Sequence, residues 1–185
     1  KTDPDKEALV KVLKREARLL LWVEWEQDIG WALDLAEKRD VKVALFGAAE
    51  ASRLLDRIKS ARAVVVLPPP IPFEEDPTGG APADLCLTLA KAGVPFAFTA
   101  AGRPELGPAG ARFAAASGVG RGLTEDEAAH ALGAHAAAAL GLEKRLGRIE
   151  AGFDADLAIF DGSPFAPGAR AEVMISRGRS VGTGD

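Results

Sequence analysis

The chain has little of what most chemical sites are built from. Among 185 residues there is one cysteine, Cys86, and there are two histidines, His130 and His135. A single thiol excludes a disulfide framework and a cysteine-based metal site. Cys86 lies on an apolar helix face with no base beside it, so it reads as a buried structural thiol. The histidines stand five residues apart on one predicted helix, where they fall on different faces. They therefore form no i, i+4 ligand pair and read as surface or packing residues. No apolar run approaches the roughly 18 residues needed to cross a bilayer. The net charge of −4 gives no electrostatic reason to expect nucleic acid or an anionic membrane surface. Lys1 rather than methionine opens the sequence, the pattern of a processed product, a trimmed form or a fragment, so compartment is left open.

What is present is core. Apolar residues make up 48% and charged residues 27% of the chain, as in an ordinary globular protein. Thr2-Asp3-Pro4 is a helix start, and Leu9, Val10, Val12 and Leu13 follow at helical spacing through about Ala17. Leu19 to Val23 is an unbroken apolar run, the mark of a strand buried on both faces. A helix is then expected over 28–38, a strand over 41–46 and a helix over 49–59. A strand over 63–67 is stopped by Pro68-Pro69-Pro70. A long loop covers 68–80, then come a helix over 83–91 and a strand over 95–99. Helices near 108–116 and over 125–140 follow, the second opened by a capping box at Thr124-Glu125-Asp126-Glu127. Short turn-bounded strands occupy the tail, at 157–160, 172–176 and 179–181.

Apolar strands alternating with amphipathic helices imply a parallel sheet with right-handed crossovers. Four such units are half of an eight-stranded (β/α)8 TIM-type barrel, which takes about 250 residues when complete. Residues 1–141 make up the half-barrel with its extra helices, and 142–185 an accessory β segment. A half-barrel leaves two apolar edge strands, here 19–23 and 95–99, and such edges invite pairing with another chain.

Residues 122–164 carry a family resemblance. The run Gly122-Leu123-Thr124-Glu125 is followed by Ala139-Leu140-Gly141-Leu142, then Gly147-Arg148-Ile149-Glu150-Ala151-Gly152, Asp154-Ala155-Asp156-Leu157 and Asp161-Gly162-Ser163-Pro164. It resembles the carboxy-terminal segment of metal-dependent amidohydrolases, most nearly the imidazolonepropionase-like group. The resemblance implies that the four units correspond to strands five to eight of that family's barrel, and the tail to part of its accessory sandwich. It further implies one or two divalent ions at the carboxy-terminal strand ends, held by histidines and an aspartate. On this sequence the matching positions are Trp22, Phe46 and Ala100, none of which can ligate a metal. Glu24 is the nearest oxygen donor. The family's His-x-His pair and bridging lysine, which belong to earlier strands, have no counterpart.

The expectation is thus a non-catalytic, amidohydrolase-like chain with no cofactor of its own, completing a barrel with another chain that carries the amino-terminal half, or by self-association. The alternative is a subunit of an active amidohydrolase whose metal ligands come from a partner chain. A third reading is a small-molecule pocket formed by Trp22, Trp25 and Phe46, with Trp31 and the 68–80 loop nearby. Asp28 reads as a helix-starting residue, and Asp154 and Asp156 as acceptors for neighbouring backbone amides. Gly118-Val119-Gly120-Arg121-Gly122 lacks the Lys-Ser/Thr of a phosphate loop and reads as a connector.

Overall fold

The computed structural model describes residues 4–69, 82, 84–101, 107 and 109–182. The chain begins with α1 (Pro4–Leu13), β1 (Leu19–Val23), α2 (Glu26–Arg39) and β2 (Val43–Gly47). A 3-10 turn (Ala51–Arg53), α3 (Leu55–Ser60), β3 (Val64–Leu67), α4 (Leu85–Ala92) and β4 (Phe96–Phe98) complete the strand–helix units. Next are α5 (Gly110–Arg121), α6 (Glu125–Leu132) and α7 (Ala134–Ala139), then β5 (Leu157–Phe160), β6 (Ala171–Ser176) and β7 (Arg179–Gly182). Most of the 68–80 loop lies outside the described residues.

Strands β1 to β4 form one parallel sheet in sequence order, the half-barrel expected from the alternating pattern. Its two faces differ. Leu21, Val23, Val43, Leu45, Val65, Leu67, Phe96 and Phe98 point toward the helices, and Ile29, Leu33, Ile58 and Leu89 pack against them as the main core. Leu20, Trp22, Ala44, Phe46, Val64, Val66 and Ala97 occupy the alternate positions, the face a closed barrel would turn inward. A second apolar cluster of Ala44, Phe46, Val64, Val66 and Ala97 is covered there by Ala136, Ala138 and Ala139 of α7. The alanine-rich composition of α7 lets its backbone lie close to the sheet.

The helix-to-strand turns before β1, β2 and β3 each contain a non-glycine residue in the left-handed region: Arg15, Asp40 and Arg62, with φ of 61°, 50° and 52°. The corresponding turn before β4 uses Gly93 at φ 66°. A side chain costs about 1–2 kcal/mol in that conformation, and glycine gives back part of the gain as unfolded-state entropy. Arg62→Gly is therefore expected to stabilise the fold by about 0.5–1 kcal/mol. A urea midpoint equal to or below that of the parent chain would refute this.

The tail forms a separate antiparallel sheet in the order β5-β6-β7. It is fastened to the half-barrel at several points. Phe165 is buried in the main core, Arg112 donates from Nη1 to the Pro164 carbonyl at 2.8 Å, and Ser163 donates to Glu125 at 2.6 Å. Asp156 accepts from the Arg177 backbone amide at 2.8 Å, as expected, whereas Asp154 pairs with the Arg145 guanidinium at 2.9 Å.

Three local expectations are corrected by the structure. Helix α2 begins at Glu26, and Asp28 lies inside its first turn; the Glu26 amide donates to the Glu50 carboxylate at 2.8 Å. Residues 118–121 belong to α5 and are not a connector. Gly118 is there because a Cβ would stand 2.7 Å from Leu123 Cδ1 and 3.4 Å from the Phe98 ring. Finally, the expected 125–140 helix is broken at Gly133 into α6 and α7. The capping box is present: Glu127 N donates to Thr124 Oγ1 at 3.2 Å, and Thr124 N to Glu127 Oε2 at 2.8 Å.

Candidate functional site

The carboxy-terminal ends of β1 to β4 are where a barrel of this kind places its chemistry. Trp22 and Phe46 are register partners there, with ring centroids 4.6 Å apart at 45°. Phe46 is buried at 8% exposure; Trp22 is 69% exposed and covers one side of it. Core packing thus describes Phe46 and not Trp22. The Trp22 indole donates from Nε1 to Glu24 Oε1 at 3.0 Å. Ala100 follows β4 at the same end, where Thr99 accepts the Ala101 amide at 3.1 Å. Trp25 does not join this group. It lines a separate cavity of about 390 Å³ with Glu26, Gln27, Gly30, Glu50, Leu54 and Arg57. Trp31 is exposed on α2.

The donor set at these strand ends does not fit the divalent centre that the fold family implies. Two aromatic rings and a methyl group occupy the three expected ligand positions, and Glu24 is already engaged by the indole. Among the described residues, no three His, Cys, Asp or Glu side chains come together.

The two ends of the sheet are not equivalent. At β1, Leu19 N donates to Lys42 O and Val23 O accepts from Ala48 N, so odd-numbered residues bond toward β2. The peptide groups of Leu20 and Trp22 then face the open edge, beyond which no strand lies among the described residues. At β4, Val65 N donates to Pro95 O and Thr99 N to Leu67 O, which turns the Phe96 peptide outward. His135 reaches it, with Nδ1 3.0 Å from Phe96 O. β4 itself is buried. Of the two edges expected to be open, only β1 combines an unpaired edge with exposed apolar side chains, Leu20 at 51% and Trp22 at 69%.

The histidines also stand differently from expectation. The break at Gly133 brings their ring centroids to 6.0 Å at 42°. This break depends on a close crossing of two glycines. A Cβ on Gly133 would meet Gly147 O at 3.0 Å, and a Cβ on Gly147 would meet Gly133 O at 2.6 Å. Burial lowers the His135 pKa, the Phe96 carbonyl acts the other way, and His130 and Arg148 lower it further. Sequence periodicity misses this arrangement because one glycine in an alanine-rich run leaves the helical pattern intact.

A family model described as Amidohydrolase family matches residues 103–181. The chain superposes on an amidohydrolase from Thermotoga maritima MSB8 with a TM-score of 0.83 at 25% identity, over 99% of this chain and 48% of that one. Over residues 103–181 the chain carries the amidohydrolase family pattern, and its fold is that of amidohydrolase-superfamily structures. Two more distant structures share its fold. A 5-methylcytosine deaminase from Klebsiella pneumoniae is 18% identical with a TM-score of 0.67, matching 88% of this chain and 46% of its own. A beta-aspartyl dipeptidase from Fervidobacterium islandicum AW-1 is 14% identical with a TM-score of 0.58, matching 89% and 46%. No curated protein gives a significant match. The chain spans about half the length of the structures it matches.

Proposed function

We propose that the chain is a non-catalytic, amidohydrolase-like half that acts as an assembly partner and completes a barrel through β1. One observation carries the proposal: the outward peptide groups of Leu20 and Trp22 lie on an edge whose side chains are also exposed and apolar. An unpaired, flat, apolar edge templates strand addition.

A non-identical partner suits the geometry better than a second copy. α7 already packs on the inward face through Ala139. An eight-stranded barrel has room inside for side chains and little more, so two copies of α7 would compete for one interior. The partner would therefore supply strands without an equivalent inward helix. Any hydrolytic chemistry of the assembly would rest on ligands from that partner, because Trp22, Phe46 and Ala100 offer none.

Size-exclusion chromatography with light scattering tests the edge on the chain alone. Deprived of its partner, the parent chain is expected to self-associate, and Leu20→Pro to shift the population to monomer. Proline removes an N–H that faces the open edge and leaves the ladder to β2 intact. Leu20→Ala should reduce association less. A stable, well-folded monomer of the parent chain would sink the proposal.

A further inference from the structure

We infer that His130 and His135 form a two-imidazole site for a divalent transition-metal ion, away from the strand ends where this fold carries its chemistry. These are the chain's only histidines, and the Gly133–Gly147 crossing brings their rings to 6.0 Å. His130 Nδ1 lies 2.7 Å from the Asp126 carbonyl and His135 Nδ1 lies 3.0 Å from the Phe96 carbonyl. A carbonyl oxygen only accepts, so both Nδ1 atoms carry the proton. Both Nε2 atoms are consequently left as lone-pair donors, the tautomer a metal requires. A main-chain carbonyl on the second ring nitrogen is the usual support of a metal-binding imidazole.

The spacing suits one ion. At about 2.0–2.1 Å from each nitrogen, an ion stands roughly 3 Å from each ring centre, so two rings 6.0 Å apart can share it at a wide angle. His130 is exposed, which gives access and leaves the remaining positions to water. Imidazole donors without thiolate favour nickel, copper or zinc over magnesium or calcium. Arg148 is a cation whose charge acts on His135, and it is partly offset by Glu150 at 3.9 Å. The site is independent of the barrel-completion proposal, since both histidines belong to this chain.

Calorimetric titration of the full chain with nickel chloride at mildly alkaline pH tests it. One ion per chain is expected to bind, and His130→Ala and His135→Ala should each weaken binding at least about tenfold. Arg148→Ala should tighten it. His135→Ala also removes the contact to Phe96, so circular dichroism must show that variant folded before its titration counts. If His135→Ala does not fold, His130→Ala, on the exposed ring, decides the matter by itself. No saturable binding by the parent chain, or undiminished binding by folded His130→Ala, would overturn the assignment.

Discussion

Gly147→Ala is expected to cost about 3–5 kcal/mol of folding stability, a large share of the roughly 5–15 kcal/mol available to a domain. Two effects add. The residue has φ +88°, where a side chain is strained. Its new Cβ would also stand 2.6 Å from Gly133 O, 2.7 Å from Gly133 C and 2.9 Å from Ala134 Cα. All three are backbone atoms, so no rotamer change relieves the clash, and either the 147 turn or the α6–α7 break must move. Gly152→Ala is the control. Its φ is +93°, but nothing lies within 4 Å of the position its added Cβ would take. It should cost only the conformational term, about 1–2 kcal/mol. Urea denaturation of both variants separates close contact from backbone strain. Equal losses would show that the crossing of the two glycines contributes nothing.

The second large effect is expected at Leu45. This side chain is fully buried in β2, in register between Leu21 and Val65, and faces the helix layer. Leu45→Ala removes several methyl and methylene groups at the centre of the sheet. β1 on one side and β3 on the other hinder collapse around the gap. A loss of about 3–5 kcal/mol is expected from transfer and cavity terms together. Thermal or urea unfolding measures it. A loss under about 1 kcal/mol would mean that the helix layer closes over the space, contrary to the dense packing of Ile29, Leu33 and Ile58.

The scaffold is legible in the sequence where local and tertiary preferences agree. Leu19–Val23 is a strand with the expected bounds, but it is not buried on both faces as its unbroken apolar run implies: Leu19, Leu21 and Val23 face the helix layer, whereas Leu20 and Trp22 on the other face stay exposed. The capping box at Thr124–Glu127 is likewise decided within four consecutive residues. Glycine is harder to read. Gly118 has the sequence context of a connector, yet it serves close packing of α5 against Leu123 and Phe98. Gly133 is compatible with a continuous helix, yet its backbone is crossed by Gly147 from the following turn. Such roles depend on what lies opposite, and no periodicity records that. The same holds for the site. Trp22 and Phe46 meet because their strands are in register, whereas Trp25 is carried off by the start of α2. The approach of His130 and His135 is a by-product of the Gly133 break.

The helix beneath the sheet has a consequence for the order of events during synthesis. Lys42 reaches Glu143 across 101 positions of sequence at 3.3 Å, and α7 covers the inward cluster from residues 134–139. β4 is complete at Phe98. At about 5–20 residues per second, a few seconds of translation separate the finished sheet from the helix that floors it. During that interval Ala44, Phe46, Val64 and Val66 have no cover from their own chain. The nascent protein therefore passes through a stage in which both its edge and its underside are sticky, and a chaperone or an early-arriving partner would find it most receptive then.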